Sequence, residues 1–268
     1  MSAFEAFCLA AAGALYAASF LCAIRELPRP AFFILVAGLA LHLASAADRW
    51  LGAGHPPVFG TYEATLAASW FLLLFIASSF TSVHRQFRLL VLTGVPIALL
   101  MLLYGVLLFD TQRIPLTISE RSLWVELHAL FSWLAFAPFT LASCLAAYFL
   151  WSAPREPDGQ AGVIDELVFR YVTIGFVSHS IMFALGSYYS SILFGTWWRW
   201  DPAFSLSLIA WLLVGLYIHT RLFYHWTGVR AARMYLFIFA LIAFSYWGLI
   251  YLPAGRTFHV FDLNLKAL

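Results

Sequence analysis

Charge is what this sequence has least of. Of its 268 residues only 10% are Asp, Glu, Lys or Arg, against about a quarter in ordinary soluble domains. So few cannot clothe a water-exposed surface, which excludes a soluble globular fold. Cysteine is scarce too: the three, Cys8, Cys22 and Cys144, stand singly within apolar runs and form no CxxC or CxxCH pattern. That excludes a c-type attachment site of the chain's own, a thioredoxin-like pair and a zinc motif, and leaves each as a small buried hydrophobe. Missing as well are GxSxG, HExxH, a phosphate-cradling glycine loop and carboxylates paired at acid–base spacing, so hydrolytic and nucleotide-driven chemistry finds no support. Met1-Ser2-Ala3-Phe4-Glu5 lacks the basic n-region of a cleaved signal peptide and reads as the opening of the first span. The formal net charge is +2 with its basic residues scattered singly through loops, so no nucleic-acid partner is expected.

What the chain has in abundance is apolar length. Hydrophobic residues make up 63% of it, in recurring runs that reach the ~20 residues needed to cross a bilayer. The runs predict eight spans at 3–24, 31–47, 62–83, 89–109, 122–151, 168–194, 203–224 and 231–252, the fifth overlong with Pro138 as a kink candidate. The expected fold is all-α, a polytopic integral membrane protein of about eight transmembrane helices. No linker or low-complexity tract divides it, so residues 1–268 are expected to form one domain. Nine of the fifteen basic residues fall in the loops after spans one, three, five and seven. By the positive-inside rule this bias sets both termini outside the cytoplasm, together with the loops at 48–61, 110–121 and 194–202.

The densest local signal is Phe194-Gly195-Thr196-Trp197-Trp198-Arg199-Trp200-Asp201-Pro202, three tryptophans in four positions between two apolar runs. An interfacial aromatic belt is one reading. A belt needs only scattered rings at the right depth, however, not a Gly, an Asp and a Pro fixed among them. The second reading is a platform of Trp197, Trp198 and Trp200 for a flat apolar ligand, shaped by a tight turn that includes Asp201.

Eight histidines occur in this apolar chain. His128 opens span five from the outer side and His259 lies in the outer tail, on the same face as the tryptophan loop by the inferred topology. Two imidazoles flanking an indole shelf suit a haem iron; the alternative for each is an interfacial histidine bonded to water or backbone. His42 and His219 fall inside apolar runs, where ionisable groups are rare and usually functional. They form either a second haem site within the bilayer or two separately satisfied buried histidines. At 1.5 Å per residue their distances from the inner ends of their spans differ by about 10 Å, which a shared site has to absorb. His179, between Ser178 and Ser180, is expected to be structural or to line a pathway. His84 and His225 are expected at the inner boundary, and His55 in an outer turn without a clear partner. Glu63 is placed to cap span three. No internal repeat of the kind many transporters carry is evident, which weakens a reading as an unrelated small-molecule transporter.

These residues resemble the cytochrome c assembly proteins of the CcsA/ResC type, with relatives CcmC and CcmF. That family's loop reads approximately W-G-x-x-W-x-W-D-P-K-E, and Gly195, Trp198, Trp200, Asp201 and Pro202 stand in register with it. Residues 42–49 followed by Gly54-His55-Pro56-Pro57 and Tyr62-Glu63 resemble the family's membrane histidine and G-H-x-P…Y-E-S stretch. Tyr217-Ile218-His219-Thr220-Arg221 resembles its Y-L-H-T-R, and Gly228-Val229-Arg230-Ala231-Ala232 its G-x-R-A-A. The resemblance implies haem b as cofactor, with His128 and His259 as outer ligands and His42 and His219 as membrane ligands. It implies presentation of haem to an apocytochrome c with a CxxCH motif, with a CcsB/ResB-type membrane subunit as partner. On charge and inferred sidedness alone, Arg199 or Arg121 is the expected propionate contact. Bacterial cytoplasmic (inner) membrane is the implied location, among membrane lipid. Ala203-Phe204 stands where the family has Lys-Glu, and Phe194 where it has its leading Trp. A haem-binding regulator or scaffold of the HemX type, which attaches nothing, is the second reading.

Overall fold

The computed structural model describes residues 1–82, 84–113, 116, 120–152 and 160–251. It is all-helical, with no strand among the described residues, and eight of its helices are long and apolar enough to cross a membrane. The protein is therefore multi-pass. For the described residues the chain divides into two compact units, 1–122 and 123–251, a division that no change of composition marks.

The first unit holds α1 (Ala3–Ile24), α2 (Pro28–Ala53), α3 (Gly60–Ser82) and α4 (His84–Leu108). A capping box starts α1: the Ser2 hydroxyl accepts from Glu5 N at 2.9 Å, and the Glu5 carboxylate accepts from Ser2 N at 3.4 Å. Pro28 supplies the first turn of α2, where its missing N–H costs nothing. Both ends of α2 reach beyond the predicted 31–47. Asp48 and Arg49 read in sequence as a loop, but they remain helical because their charges are paired inside the unit.

The second unit holds α5 (Leu123–Ser152), α6 (Gln160–Phe194), α7 (Pro202–Phe223) and α8 (Gly228–Ala243). Helix α5 runs through Pro138 as one element of 30 residues and, with α6, forms the core of the unit, burying Phe136, Phe139, Leu141 and Leu145. Helix α6 begins eight residues before the predicted 168. The polar Asp165 and Glu166 sit on it because Arg221 of α7 meets them at 2.6 and 3.9 Å. Asp165 also accepts from Gly228 N at 3.0 Å, tying the start of α8 to the same point. After Ala243 the last span widens into a π-helical turn, Phe244–Gly248, and a 3-10 turn, Leu249–Tyr251. Such widening re-aims side chains. Here the Tyr246 hydroxyl donates to Ser132 O of α5 at 3.0 Å.

Candidate functional site

The tryptophan turn is built by its non-aromatic residues. Gly195 ends α6 with φ +70, a left-handed conformation costing other residues about 1–2 kcal/mol, and its N donates to Ser191 O at 3.1 Å. The Ser190 hydroxyl donates to Thr196 O at 2.8 Å, and the Thr196 hydroxyl to Trp198 O at 3.1 Å. Asp201 caps α7, accepting from Ala203 N at 2.8 Å, with Pro202 in the first helical turn. Such a cap contributes about 1 kcal/mol.

The three indoles have different surroundings. Trp200 is 85% exposed and Trp197 62%. Trp198 is the anchor: its ring meets Trp200 edge-on at 5.4 Å, Phe204 at 5.7 Å and Phe183 of α6 at 6.1 Å. Below it, Phe183 and Phe176 each lie nearly parallel to Trp211 of α7. The Trp198 Nε1 is buried with no hydrogen-bond partner among the described residues. Phe204 explains what replaces the expected Lys-Glu: an aromatic contact to the anchor in place of charge.

His128 belongs to the same end of the unit. Trp124, one turn before it on α5, meets Tyr188 of α6 at 4.7 Å, and Tyr188 meets Trp197 at 5.8 Å. The His128 Nδ1 is 2.8 Å from Met182 O. A carbonyl only accepts, so Nδ1 carries the proton and Nε2 the lone pair of the neutral ring, the tautomer a metal-ligating histidine requires. Gly186 makes the approach feasible, since a Cβ there would lie 2.7 Å from the imidazole. The backbone beneath is braced: the Ser132 hydroxyl donates to His128 O at 2.9 Å, and Tyr246 holds Ser132 O. Gly186, Ser132 and Tyr246 carry no signal of this role in the sequence beyond a glycine inside an apolar run.

The remaining sequence-predicted residues divide. His259 lies outside the described residues. His42 is fully buried in the first unit, its Nδ1 3.2 Å from the Tyr16 hydroxyl. His219 is exposed on α7 of the second unit, against Phe223 at 4.6 Å and Tyr224 at 5.7 Å. His179 is buried, with Nε2 3.0 Å from the Ser207 hydroxyl. Arg199 lies over the Phe194 ring at 4.1 Å, and exposed Arg121 donates to Leu116 O at 3.3 Å.

A second polar centre lies in the first unit, where α1 begins, α2 ends and α3 begins. Buried Arg49 donates to Glu63 at 2.6 Å, Glu5 at 3.1 Å, Thr111 O at 3.0 Å and Gln112 O at 2.9 Å, with its guanidinium over Tyr62 at 4.8 Å. Arg113 pairs with Glu5 and Asp48, and Asp48 also accepts from the Ser2 hydroxyl at 2.6 Å. Burial pulls the Arg113 guanidinium down, but hydrogen bonds and charges from Asp48 and Glu5 outweigh it and hold its pKa above the ordinary value. Glu63 does accept a backbone N–H at the start of α3, from Phe59 at 3.1 Å, yet its shorter bond is to Arg49. His55 is buried beside it, its Nδ1 3.0 Å from Pro56 O and 4.0 Å from the Glu63 carboxylate. The expectation of a turn histidine without a partner is thereby corrected. Each of these charged side chains faces an opposite charge, and Arg113 Nε is the one nitrogen of the centre buried without a hydrogen-bond partner among the described residues.

Fold and site together define a class: a polytopic helical membrane protein that holds exposed indoles beside an oriented imidazole. The chain belongs to the family described as Cytochrome C assembly protein, which matches residues 58–255 and so runs across both units. Among the relatives it resembles is the cytochrome c biogenesis protein CcsA of Chlamydomonas reinhardtii, 28% identical over 220 residues, covering 77% of this chain and 62% of that protein. The CcsA of Synechococcus sp. (strain RCC307) is 27% identical over 259 residues, covering 83% and 82%. That of Guillardia theta is 25% identical over 239 residues, covering 77% of each.

Proposed function

We propose that the chain binds haem b at the tryptophan-bearing end of its second unit and presents it for covalent attachment to a CxxCH apocytochrome c. The observation that carries this reading is the meeting, at one end of one unit, of exposed indoles and His128 with its Nδ1 proton committed to Met182 O. The donor set fits such a macrocycle: a lone pair on a fixed imidazole for iron, and flat apolar surface for the ring. Trp197 and Trp200 supply that surface, Trp198 anchors it, and Asp201 fixes the turn. His128 and His259 are the outer iron ligands; His42 and His219 receive haem within the membrane beforehand. The chemistry that haem supplies is addition of two apocytochrome thiols across its vinyl groups, forming thioethers. The protein's own part is to orient, to exclude water and to hold the iron.

In this reading the chain is one subunit of a holocytochrome c synthase, acting with a CcsB/ResB-type membrane partner. It sits in a bacterial cytoplasmic (inner) membrane with the tryptophan loop and both termini on the periplasmic side, as the Lys/Arg bias supports. A second reading is favoured by Phe204. With an aromatic contact where the family has Lys-Glu, the turn has no charged residue there for a propionate or partner, which suits a HemX-like regulator or scaffold.

The absorbance spectrum of detergent-purified protein tests haem binding. A bis-histidine spectrum is expected, with the outer-site share of the haem lost in a His128→Ala/His259→Ala double variant; unchanged haem stoichiometry and spectrum in that variant remove the outer site. Coexpression with a CxxCH apocytochrome and a ResB-type partner separates the two readings. Covalent product supports the synthase, and haem binding without product supports the regulator.

A further inference from the structure

Two of the histidines, His128 and His42, have their Nδ1 held by partners of different kinds. His128 faces a carbonyl, which fixes one tautomer. His42 faces a hydroxyl: its Nδ1 lies 3.2 Å from the Tyr16 Oη, ring centroids 6.1 Å apart, both residues fully buried. The phenol is seated there deliberately. Gly38 stands one turn before His42 on α2, and a Cβ on it would fall 2.6 Å from Tyr16 Cε1. The other imidazole nitrogen, Nε2, is buried without a hydrogen-bond partner among the described residues. Leaving such a group unsatisfied costs about 1–3 kcal/mol, so the arrangement keeps one nitrogen engaged and holds the other in reserve.

We propose that Tyr16 is the positioning residue for His42, holding its Nδ1 so that Nε2 is presented to iron and can later release it. The proposal rests on the reading of His42 as a haem ligand. A hydroxyl both donates and accepts. When Nε2 binds iron, the Nδ1–H donates to Tyr16 Oη; when it does not, the Tyr16 hydroxyl donates to Nδ1 and the ring proton resides on Nε2. The imidazole is neutral in both arrangements and the phenol keeps its proton. A carbonyl or carboxylate would hold only the first arrangement. His42 is thus suited to pass haem on, whereas His128, locked by Met182 O, is suited to keep it in place.

The test uses the full chain in detergent, in a His128→Ala background so that outer-site haem does not obscure the signal, titrated with hemin and followed by absorbance and redox potentiometry. Partners that orient a ligating histidine typically change metal affinity ten- to hundredfold. Tyr16→Phe keeps the ring packing and removes the hydroxyl. It is expected to weaken hemin binding about tenfold or more and to raise the midpoint potential, since an imidazole without the Nδ1–H acceptor is a poorer donor to ferric iron. Gly38→Ala, which pushes the phenol aside while keeping its hydroxyl, is expected to shift both in the same direction. His42→Ala is expected to lose the hemin. Tyr16→Phe with parental affinity and potential, where His42→Ala has lost hemin, overturns the proposal and leaves the ligand reading standing. Hemin retained in full by His42→Ala overturns the ligand reading and the proposal with it. A lower melting temperature for Tyr16→Phe with an unmoved potential assigns Tyr16 to packing and overturns the proposal.

Discussion

The Arg49 centre of the first unit and the tryptophan turn of the second are both concentrations of costly side chains, and they are finished in opposite ways. Around Arg49, the carboxylates of Glu5, Glu63 and Asp48 each meet a guanidinium of Arg49 or Arg113, and two backbone carbonyls accept from Arg49. At the turn, two indoles stand largely exposed and a third has its N–H buried without a partner. Charge met by charge marks a structural clasp; apolar surface left exposed marks a place for something to bind. The contrast teaches that rarity of a residue type in an apolar chain does not by itself separate the two roles. Whether the costly groups are buried against opposite charge or left exposed does.

The largest test of that contrast is Arg49→Met. It leaves Glu5 and Glu63 buried without their shared cation, and removal of one partner from a buried ionic group costs about 3–5 kcal/mol. Denaturant or thermal unfolding of the purified protein is expected to show that loss. Retention of full stability with loss of hemin binding instead would turn the clasp into a ligand site. Next is Gly186→Ala, whose Cβ would meet His128 at 2.7 Å. Overpacking of this kind costs about 1–3 kcal/mol, and the displaced imidazole is expected to alter the haem spectrum, read by low-temperature EPR. Asp201→Ala removes the α7 cap at a cost of about 1 kcal/mol, visible as a small drop in melting temperature, with loosening of the turn. Trp200→Ala is the smallest in stability, within about 0.5 kcal/mol as expected for an exposed side chain. Its effect belongs to binding: an aromatic contact of about 1 kcal/mol corresponds to a several-fold weaker hemin Kd by titration. If Trp200→Ala destabilises the fold and spares hemin affinity, the rings are a belt.

The eight spans were legible because apolar length is a local property, and α1 is where it was clearest, matching the predicted 3–24 at both ends. The errors fell at paired charges. Arg49 ended the predicted second span and Asp165 delayed the sixth, because a single charge in sequence reads as water-facing; its partner, Glu5 or Arg221, is 44 or 56 residues away. Glu63 was legible as a residue at a helix start and illegible as half of a buried pair for the same reason. At the turn, Trp198 and Trp200 declare themselves by composition, but which one anchors and which one is exposed depends on Phe183 and Phe204. The brace behind His128 required a π-helical turn at 244–248, for which no sequence pattern gave notice.

Helix α6 has a further consequence. Its 35 residues make a rod of about 50 Å at 1.5 Å per residue, against a hydrocarbon slab of about 30 Å. The surplus has to be taken up by lean or by overhang, and the tryptophan turn is bolted directly to its end through Ser190 and Gly195. Where lean takes it up, a thicker or thinner bilayer would change the tilt of α6 and with it the depth at which the indoles sit.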